Sequence, residues 1–179
     1  MIRSSHHILK GFIIASFLLS CRDSDYSKQV SLYPEIKVAD NWTIKLPYNL
    51  KETELSHLFY QRIFTSPNDS ITLGIKTRRF TIEDGINQFS DIVENEKQGK
   101  VDGPCMGASK GSSKNYNFID SANMLSGVIT DYEENGQREI QFNVISAKTG
   151  ESLSLGFEKL SSKNVKIIHE VINSIRNHR

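Results

Sequence analysis

The residues of this chain that could do chemistry by themselves are two cysteines and five histidines. Cys21 follows an apolar run, and Cys105 lies in a glycine-rich stretch. Away from the N-terminal segment the histidines are His57, His169 and His178, and no two have the i, i+4 spacing of a helical zinc pair. Cysteine and histidine also form no cluster with metal-ligand spacing. The sequence therefore predicts no metal site and no cofactor site.

No motif of nucleophilic catalysis accompanies these residues. A Gly-x-Ser-x-Gly elbow is absent, and the glycine-rich stretch 107–113 lacks the Gly-Lys-Ser/Thr ending of a phosphate-binding loop. A thiol enzyme that pairs Cys105 with a distant histidine is one alternative, and burial of Cys105 as a small apolar side chain is the simpler interpretation. His169, at the edge of an apolar stripe, is expected to be a partly exposed structural residue. We predict no catalytic residue and no enzyme activity.

The first twenty-one residues are organised like a bacterial export signal. Arg3 and Lys10 form a basic start, and the apolar core 11–19 has nine residues, too few to span a bilayer. The ending Leu18-Leu19-Ser20-Cys21 resembles the lipobox of bacterial lipoproteins. The resemblance implies cleavage between Ser20 and Cys21 and attachment of palmitate-type acyl chains to Cys21. The alternative is an ordinary secretory signal with an incidental cysteine.

The residues after Cys21 bear on where the anchored protein would be held. One acyl chain binds a membrane only marginally, whereas the two or three of a bacterial lipoprotein hold a domain stably. Arg22 stands where an inner-membrane retention signal has aspartate, and Asp23 and Asp25 resemble surface-export signals. We expect the outer membrane, on its periplasmic face or at the cell surface.

Length and charge limit the remaining function classes. Removing residues 1–20 from the 179 leaves 159, the size of one domain, divided here into a tether at 21–34 and a domain at 35–179. The loss of two basic residues leaves 20 basic and 21 acidic side chains, a formal charge of −1. Nucleic-acid binders carry a strong basic bias, so we expect no nucleic-acid partner.

Alternating apolar and polar residues predict an antiparallel sheet. Strands are expected at 35–38 and 42–47, followed by a polar loop at 48–56. The runs 57–65 and 71–78 flank strong turn chemistry and predict a hairpin. From 116 the chain is expected to form a meander with a hairpin turn at Asn135-Gly136. The predicted inward residues of these strands are Trp42, Ile44, Leu46, Ile140, Phe142, Val144, Leu153, Leu155 and Phe157.

Two segments have helical spacing. The first, 82–98, is expected to begin at a Thr81 cap paired with Asp84 and to end at Gly99. Its predicted apolar face is Ile82, Ile86, Phe89 and Val93, with Ile92 beside it. The second, 162–177, begins at Ser161 or Ser162, and its predicted apolar face is Val165, Ile168, Ile172 and Ile175, widened by Ile167 and Val171. Between the first helix and the meander, 99–113 is expected to be a long surface loop.

The predicted fold class is therefore α+β, an antiparallel sheet with two main helices. The order of elements resembles the Mog1/PsbP-like α/β/α sandwich, which includes many small bacterial lipoproteins. The resemblance covers about residues 35–177 and rests on Trp42-Thr43-Ile44-Lys45-Leu46-Pro47, on Thr81 to Lys97 and on Ile168 to Ile175. It implies a non-enzymatic factor that binds, assembles or stabilises a larger partner. No family site residue can be placed on this chain.

These observations predict a lipid-anchored envelope protein that contacts the membrane through acylated Cys21 and binds or stabilises a protein partner. The alternatives are an immunity protein against an envelope-acting toxin and, less favoured, a small thiol enzyme using Cys105. Arg62, Lys76, Arg78 and Arg79 predict either a basic patch or an ordinary solvated sheet edge. Asp69-Ser70-Ile71 and Asp120-Ser121-Ala122 each resemble an O-glycosylation acceptor of exported bacterial proteins.

Overall fold

The computed structural model describes residues 28–47, 50–53, 60–66, 71–101 and 112–178. Ten strands and two long helices occur in these ranges, and the predicted α+β class is confirmed. In chain order the elements are β1 (Glu35–Ala39), β2 (Trp42–Lys45), β3 (Lys51–Thr53), β4 (Arg62–Ser66), β5 (Ile71–Arg79), α1 (Ile82–Lys97), β6 (Ser112–Asp120), β7 (Leu125–Glu134), β8 (Gln137–Ser146), β9 (Glu151–Leu160), α2 (Ser162–Asn173) and β10 (Arg176–Asn177).

The main sheet has seven antiparallel strands in the order β3-β4-β5-β9-β8-β7-β6. The predicted hairpin is β4 with β5, and the predicted meander runs from β6 to β9. Asn135 and Gly136 form the two-residue turn between β7 and β8. Their φ values are 52° and 74°, and a type I′ turn requires positive φ at both residues. The loop predicted at 48–56 is corrected, because Lys51–Thr53 pairs with β4 as an edge strand.

A smaller sheet in the order β1-β2-β10 packs against the main one. Trp42 and Ile44 on β2, and Leu46 just after it, are almost fully buried, as their alternating spacing predicts. The core also includes Val30, in a short helical turn at 28–31. Part of the segment predicted as a tether therefore packs on the domain.

Helix α1 begins and ends where its capping residues predict. Thr81 and Asp84 form a reciprocal capping box, and Gly99, with φ of 66°, ends the helix. The predicted apolar face is partly wrong, because Ile82 and Ile86 are exposed. The helix instead turns Gly85 and Ile92 toward the sheet.

Gly85 explains that rotation. A Cβ at this position would lie 3.0 Å from the Ser146 carbonyl oxygen, so a larger residue would require the helix or the strand end to shift by a few tenths of an ångström. Hydrophobic spacing alone gives glycine no preference for either face of the helix, so it predicts that Ile82 and Ile86 face the core.

Helix α2 is shorter than predicted, ending at Asn173 instead of 177. The Ser174 hydroxyl donates to the Val171 carbonyl (2.6 Å) and accepts the Lys45 N–H from β2 (3.0 Å). These two hydrogen bonds of Ser174 mark the end of the helix. The following strand, β10, then pairs with β2. The Ser161 cap and the buried face from Val165 to Ile172 are confirmed.

The two helices lie on opposite faces of the main sheet. On β6, the Asn117 side chain bonds Glu96 of α1, whereas its neighbour Phe118 is buried in the core with the residues of α2. Consecutive strand residues point to opposite faces, which fixes the arrangement as a layered sandwich. Membership in the Mog1/PsbP-like group stays a prediction.

Candidate functional site

Several residues singled out from the sequence lie outside the described ranges. Ser20, Cys21, His57, Asp69-Ser70 and Cys105 belong to this group, as does the loop segment 102–111. The lipid anchor and the thiol alternative are therefore untested by the structure.

Among the described residues, the only buried side chain that carries a charge is the Glu151 carboxylate, at the start of β9. The Asn41 side-chain amide, in the β1–β2 turn, donates to both of its oxygens at 2.9 Å. Arg79, the last residue of β5, donates to Oε1 at 2.6 Å. The Thr149 hydroxyl accepts the Glu151 N–H and donates to Asn177 of β10, both at 3.2 Å. We call these five residues the Glu151 cluster, which joins the two sheets.

The environment of Glu151 sets what it can do chemically. Burial raises the pKa of its carboxyl, but hydrogen bonds from Arg79 and Asn41 outweigh burial and hold the pKa below its ordinary value. The group is therefore an ionised acceptor at neutral pH with its oxygens occupied by donors. The Glu151 cluster has the geometry of a structural clamp.

We expect Glu151→Gln to lower the free energy of unfolding at pH 7 by about 1–3 kcal/mol, because charge-assisted hydrogen bonds are lost. Since the folded pKa is depressed, this stabilisation is present above the unfolded pKa of about 4.3 and disappears as pH falls through the folded value. Urea unfolding followed by the fluorescence of Trp42, the single tryptophan, measures the difference at pH 7 and pH 3. The partly exposed control Glu170→Gln should change stability by under about 0.5 kcal/mol. A loss independent of pH would contradict this account.

Glu35, Thr43 and His178 meet on the small sheet with the residue types of a nucleophile, base and acid. The Thr43 hydroxyl contacts Glu35 Oε1 and lies 2.8 Å from His178 Nε2. The same Nε2 is 3.4 Å from Glu35. In a catalytic triad the imidazole bridges its partners through two different nitrogens, so this arrangement is not a triad. The hydrogen bond from Thr43 lowers the pKa of Glu35.

His169 lies where the amphipathic pattern predicts, partly exposed at the edge of α2. Its Nε2 is 3.3 Å from Asp131 Oδ2 on β7, and its side chain is 33% exposed. Its ring stands edge-on to Tyr116 of β6, with centroids 5.9 Å apart. These contacts fasten the helix to the sheet, in keeping with the predicted structural role.

A group that the sequence did not single out surrounds Tyr60. The Tyr60 ring covers Gly74 and Gly156, which are paired on β5 and β9. Burial raises the pKa of Tyr60, and the carboxylates of Glu158 and Glu139 add to the rise. Burial and Glu158 likewise raise the pKa of Glu139. The sequence signal for this contact is a glycine inside each of two strands. Glycine in a strand interior often marks a site that another group approaches closely.

Two of the four basic residues considered as a patch, Arg62 and Arg79, make ion pairs. Arg62 makes a bidentate ion pair with Glu52 (both contacts 2.6 Å), and it also donates to the carbonyls of Lys37 and Val38 in β1. Arg79 belongs to the Glu151 cluster. The interpretation as a solvated sheet edge is wrong, because β4 and β5, which carry these residues, are internal strands.

Three of the six exposed large hydrophobic side chains in the described residues lie at or near the start of α1. Phe80, Ile82 and Ile86 are 44%, 44% and 45% exposed, and we call them the α1 patch. A hydrophobic residue before a helix cap usually packs on the residue four positions after the cap, which here is Gly85. Because glycine offers no side chain, Phe80 stays exposed. Exposed apolar groups placed together are typical of a contact surface.

Within the described residues, no group of three or more His, Cys, Asp or Glu side chains could hold a metal ion. None of the helices in those ranges is both long and apolar enough to cross a membrane.

Comparison with known proteins gives distant structural similarities. No protein-family model matches the chain, and no curated protein matches it. The structure is similar to LpqN, described as involved in cell envelope biogenesis of Mycobacterium tuberculosis, with 11% identity, 82% of this chain and 90% of that chain covered, and a TM-score of 0.44. It is also similar to a protein from Bacteroides thetaiotaomicron, with 13% identity, 78% of this chain covered and a TM-score of 0.41. The chain spans about half the length of the latter, 46%. Neither similarity identifies a function.

Proposed function

We propose that this chain is a lipid-anchored envelope protein, held at the outer membrane by acylated Cys21, that binds a protein partner without catalysing a reaction. The observation that carries the proposal is Leu18-Leu19-Ser20-Cys21 at the end of a short apolar run. Cysteine is required at this position because its thiol takes the lipid. Two or three acyl chains then hold the protein stably, at roughly 0.8 kcal/mol for each buried CH₂.

The spacing between anchor and domain supports this arrangement. Val30 is buried in the core, so eight residues lie between Cys21 and the first core side chain that the structure describes. At about 3.3–3.6 Å for each extended residue, that segment spans at most about 30 Å. The domain is thereby held near the membrane surface.

The anchor is tested by Cys21→Ser, with Cys105→Ser as the matched control. We expect membranes from cells fed labelled palmitate to contain labelled parent protein and labelled Cys105→Ser protein. The Cys21→Ser protein should lose the label completely and keep residues 1–20, because the lipid is attached before cleavage. Label that persists in Cys21→Ser, or disappears in Cys105→Ser, would overturn the assignment.

The partner is proposed to contact the α1 patch. Helix α1 carries five acidic residues and one lysine, and Glu83 and Asp84 lie beside Ile82 in its first turn. This charge disfavours contact with anionic lipid, so a protein surface fits better than the membrane itself. The complementary surface is apolar with a border of Lys or Arg.

The same cells test this contact when a photo-cross-linking amino acid replaces Ile86. We expect irradiation to join the chain to one discrete protein of the envelope. Placing the cross-linker at Lys163, exposed at the start of α2 on the other face, is the control and should yield no such product. Lipid adducts alone at Ile86, or the same product from both positions, would contradict the proposal.

A further inference from the structure

Eight of the thirteen serines in the described part of the chain are buried or hydrogen-bond a backbone group. Three of these serines are buried: Ser66, Ser126 and Ser146. Five others hydrogen-bond backbone groups: Ser31, Ser90, Ser152, Ser161 and Ser174. Ser112, Ser113, Ser121 and Ser162 are exposed and belong to neither group.

Ser121 is such a residue, in the exposed turn between β6 and β7. The turn is fixed by its neighbours: Asp120 accepts the Asn123 N–H (3.2 Å) and the Asn123 side-chain amide (2.6 Å). The Met124 N–H donates to the Ser121 carbonyl at 3.4 Å. None of these contacts uses the Ser121 hydroxyl. A large substituent on this oxygen would extend into solvent without breaking a contact that holds the turn.

The local sequence indicates which substituent fits. Asp120-Ser121-Ala122 has an acid before the hydroxyl and a small apolar residue after it, the pattern of an O-glycosylation acceptor on exported bacterial proteins. Ala122 is exposed as well, so the side chain after Ser121 adds little bulk against a transferase. The described structure thus presents the pattern on an accessible turn. A sugar attached at this turn would be a bulky, solubilising surface group.

We propose that Ser121 is an O-glycosylation site. The Ser121 oxygen forms a bond to the anomeric carbon of a sugar from a lipid-linked or nucleotide-linked donor. The bond between that carbon and the donor phosphate oxygen breaks, and the phosphate or pyrophosphate leaves with the electron pair. The hydroxyl proton passes to a base of the transferase. The proposal rests on the export of the chain that the proposed function includes.

The test uses the full chain purified from membranes of the bacterium that encodes it. Peptide mass spectrometry should find a sugar-sized mass increment on the peptide that contains Ser121. Ser121→Ala should lose this increment completely, and Ser113→Ala, exposed on the adjoining strand, should retain it. Asp120→Asn keeps an acceptor oxygen for the Asn123 N–H but removes the charge, and occupancy should fall at least tenfold. Trp42 fluorescence confirms that each variant is folded.

The outcomes separate this inference from the anchor. An unmodified Ser121 peptide on a chain that carries lipid at Cys21 would overturn glycosylation and leave the anchor intact. A sugar at Ser121 on a chain without lipid would do the reverse. A phosphate increment, or full occupancy in Asp120→Asn, would contradict the proposed acceptor.

Discussion

Gly150→Ala is expected to lower the free energy of unfolding by about 3–5 kcal/mol, because it adds a clash to a backbone conformation that already disfavours other residues. Gly150 has φ of 69° in the turn between β8 and β9. A Cβ there would lie 2.5 Å from the Phe80 carbonyl oxygen and 2.8 Å from the carbonyl of Thr81. These atoms cannot easily retreat, since the Phe80 N–H donates to the Gly150 carbonyl at 2.8 Å and Thr81 caps α1.

Gly99→Ala and Gly136→Ala are the matched controls. Both glycines have similar positive φ, 66° and 74°, but a Cβ on either would meet nothing within 4 Å. Each should lose only about 1–2 kcal/mol, the cost of the backbone conformation. Urea unfolding followed by Trp42 fluorescence compares the three variants. Equal losses would show that the contact between the turn and the start of α1 contributes nothing.

The Gly150 turn shows which part of this fold is readable from sequence. Lys148-Thr149-Gly150 predicts a turn, and β8 and β9 follow on either side of it as expected. Local composition carries that information because turn and strand preferences act between near neighbours. The approach of Phe80 and Thr81 is different, because it joins segments about seventy residues apart. No spacing rule reports it.

The same limit applies to the clusters. Asn41 and Glu151 are separated by 110 residues, and Arg79 and Glu151 by 72. Each residue alone resembles an ordinary surface polar group. Only the folded sheet order brings them together, so the Glu151 cluster could not be predicted. Conversely, the sequence that resembles a lipobox is entirely local and lies outside the described residues, so sequence and structure inform different parts of the molecule.

The error in the predicted apolar face of α1 concerns the surface proposed to contact the partner. Hydrophobic spacing placed Ile82 and Ile86 in the core, but Gly85 faces the sheet and leaves them at the surface. A glycine that permits close packing carries no hydrophobic signal, so periodicity alone selects the wrong stripe. The residues that this rotation exposes are those proposed to contact the partner.

Phe142→Ala is expected to cost about 3–5 kcal/mol, the usual range for removing a fully buried aromatic side chain. Phe142 is 0% exposed on β8, between Ile129 of β7 and Leu155 of β9. Its ring stands edge-on to Phe118, with centroids 4.9 Å apart. Truncation leaves a cavity at the centre of the sheet that the neighbouring strands cannot close. Urea unfolding at pH 7 measures the loss.

Phe80→Ala is the matched control, the same truncation at a side chain that is 44% exposed. Its stability should change by under about 1 kcal/mol, because much of the ring already contacts solvent. Its cross-linking yield from Ile86 should nevertheless fall at least fivefold if the α1 patch binds the protein partner. Phe142→Ala protein that stays folded should keep the cross-link, since the core residue does not reach that surface. If Phe80→Ala kept full yield, or lost as much stability as Phe142→Ala, the separation of core from contact surface proposed for this domain would be wrong.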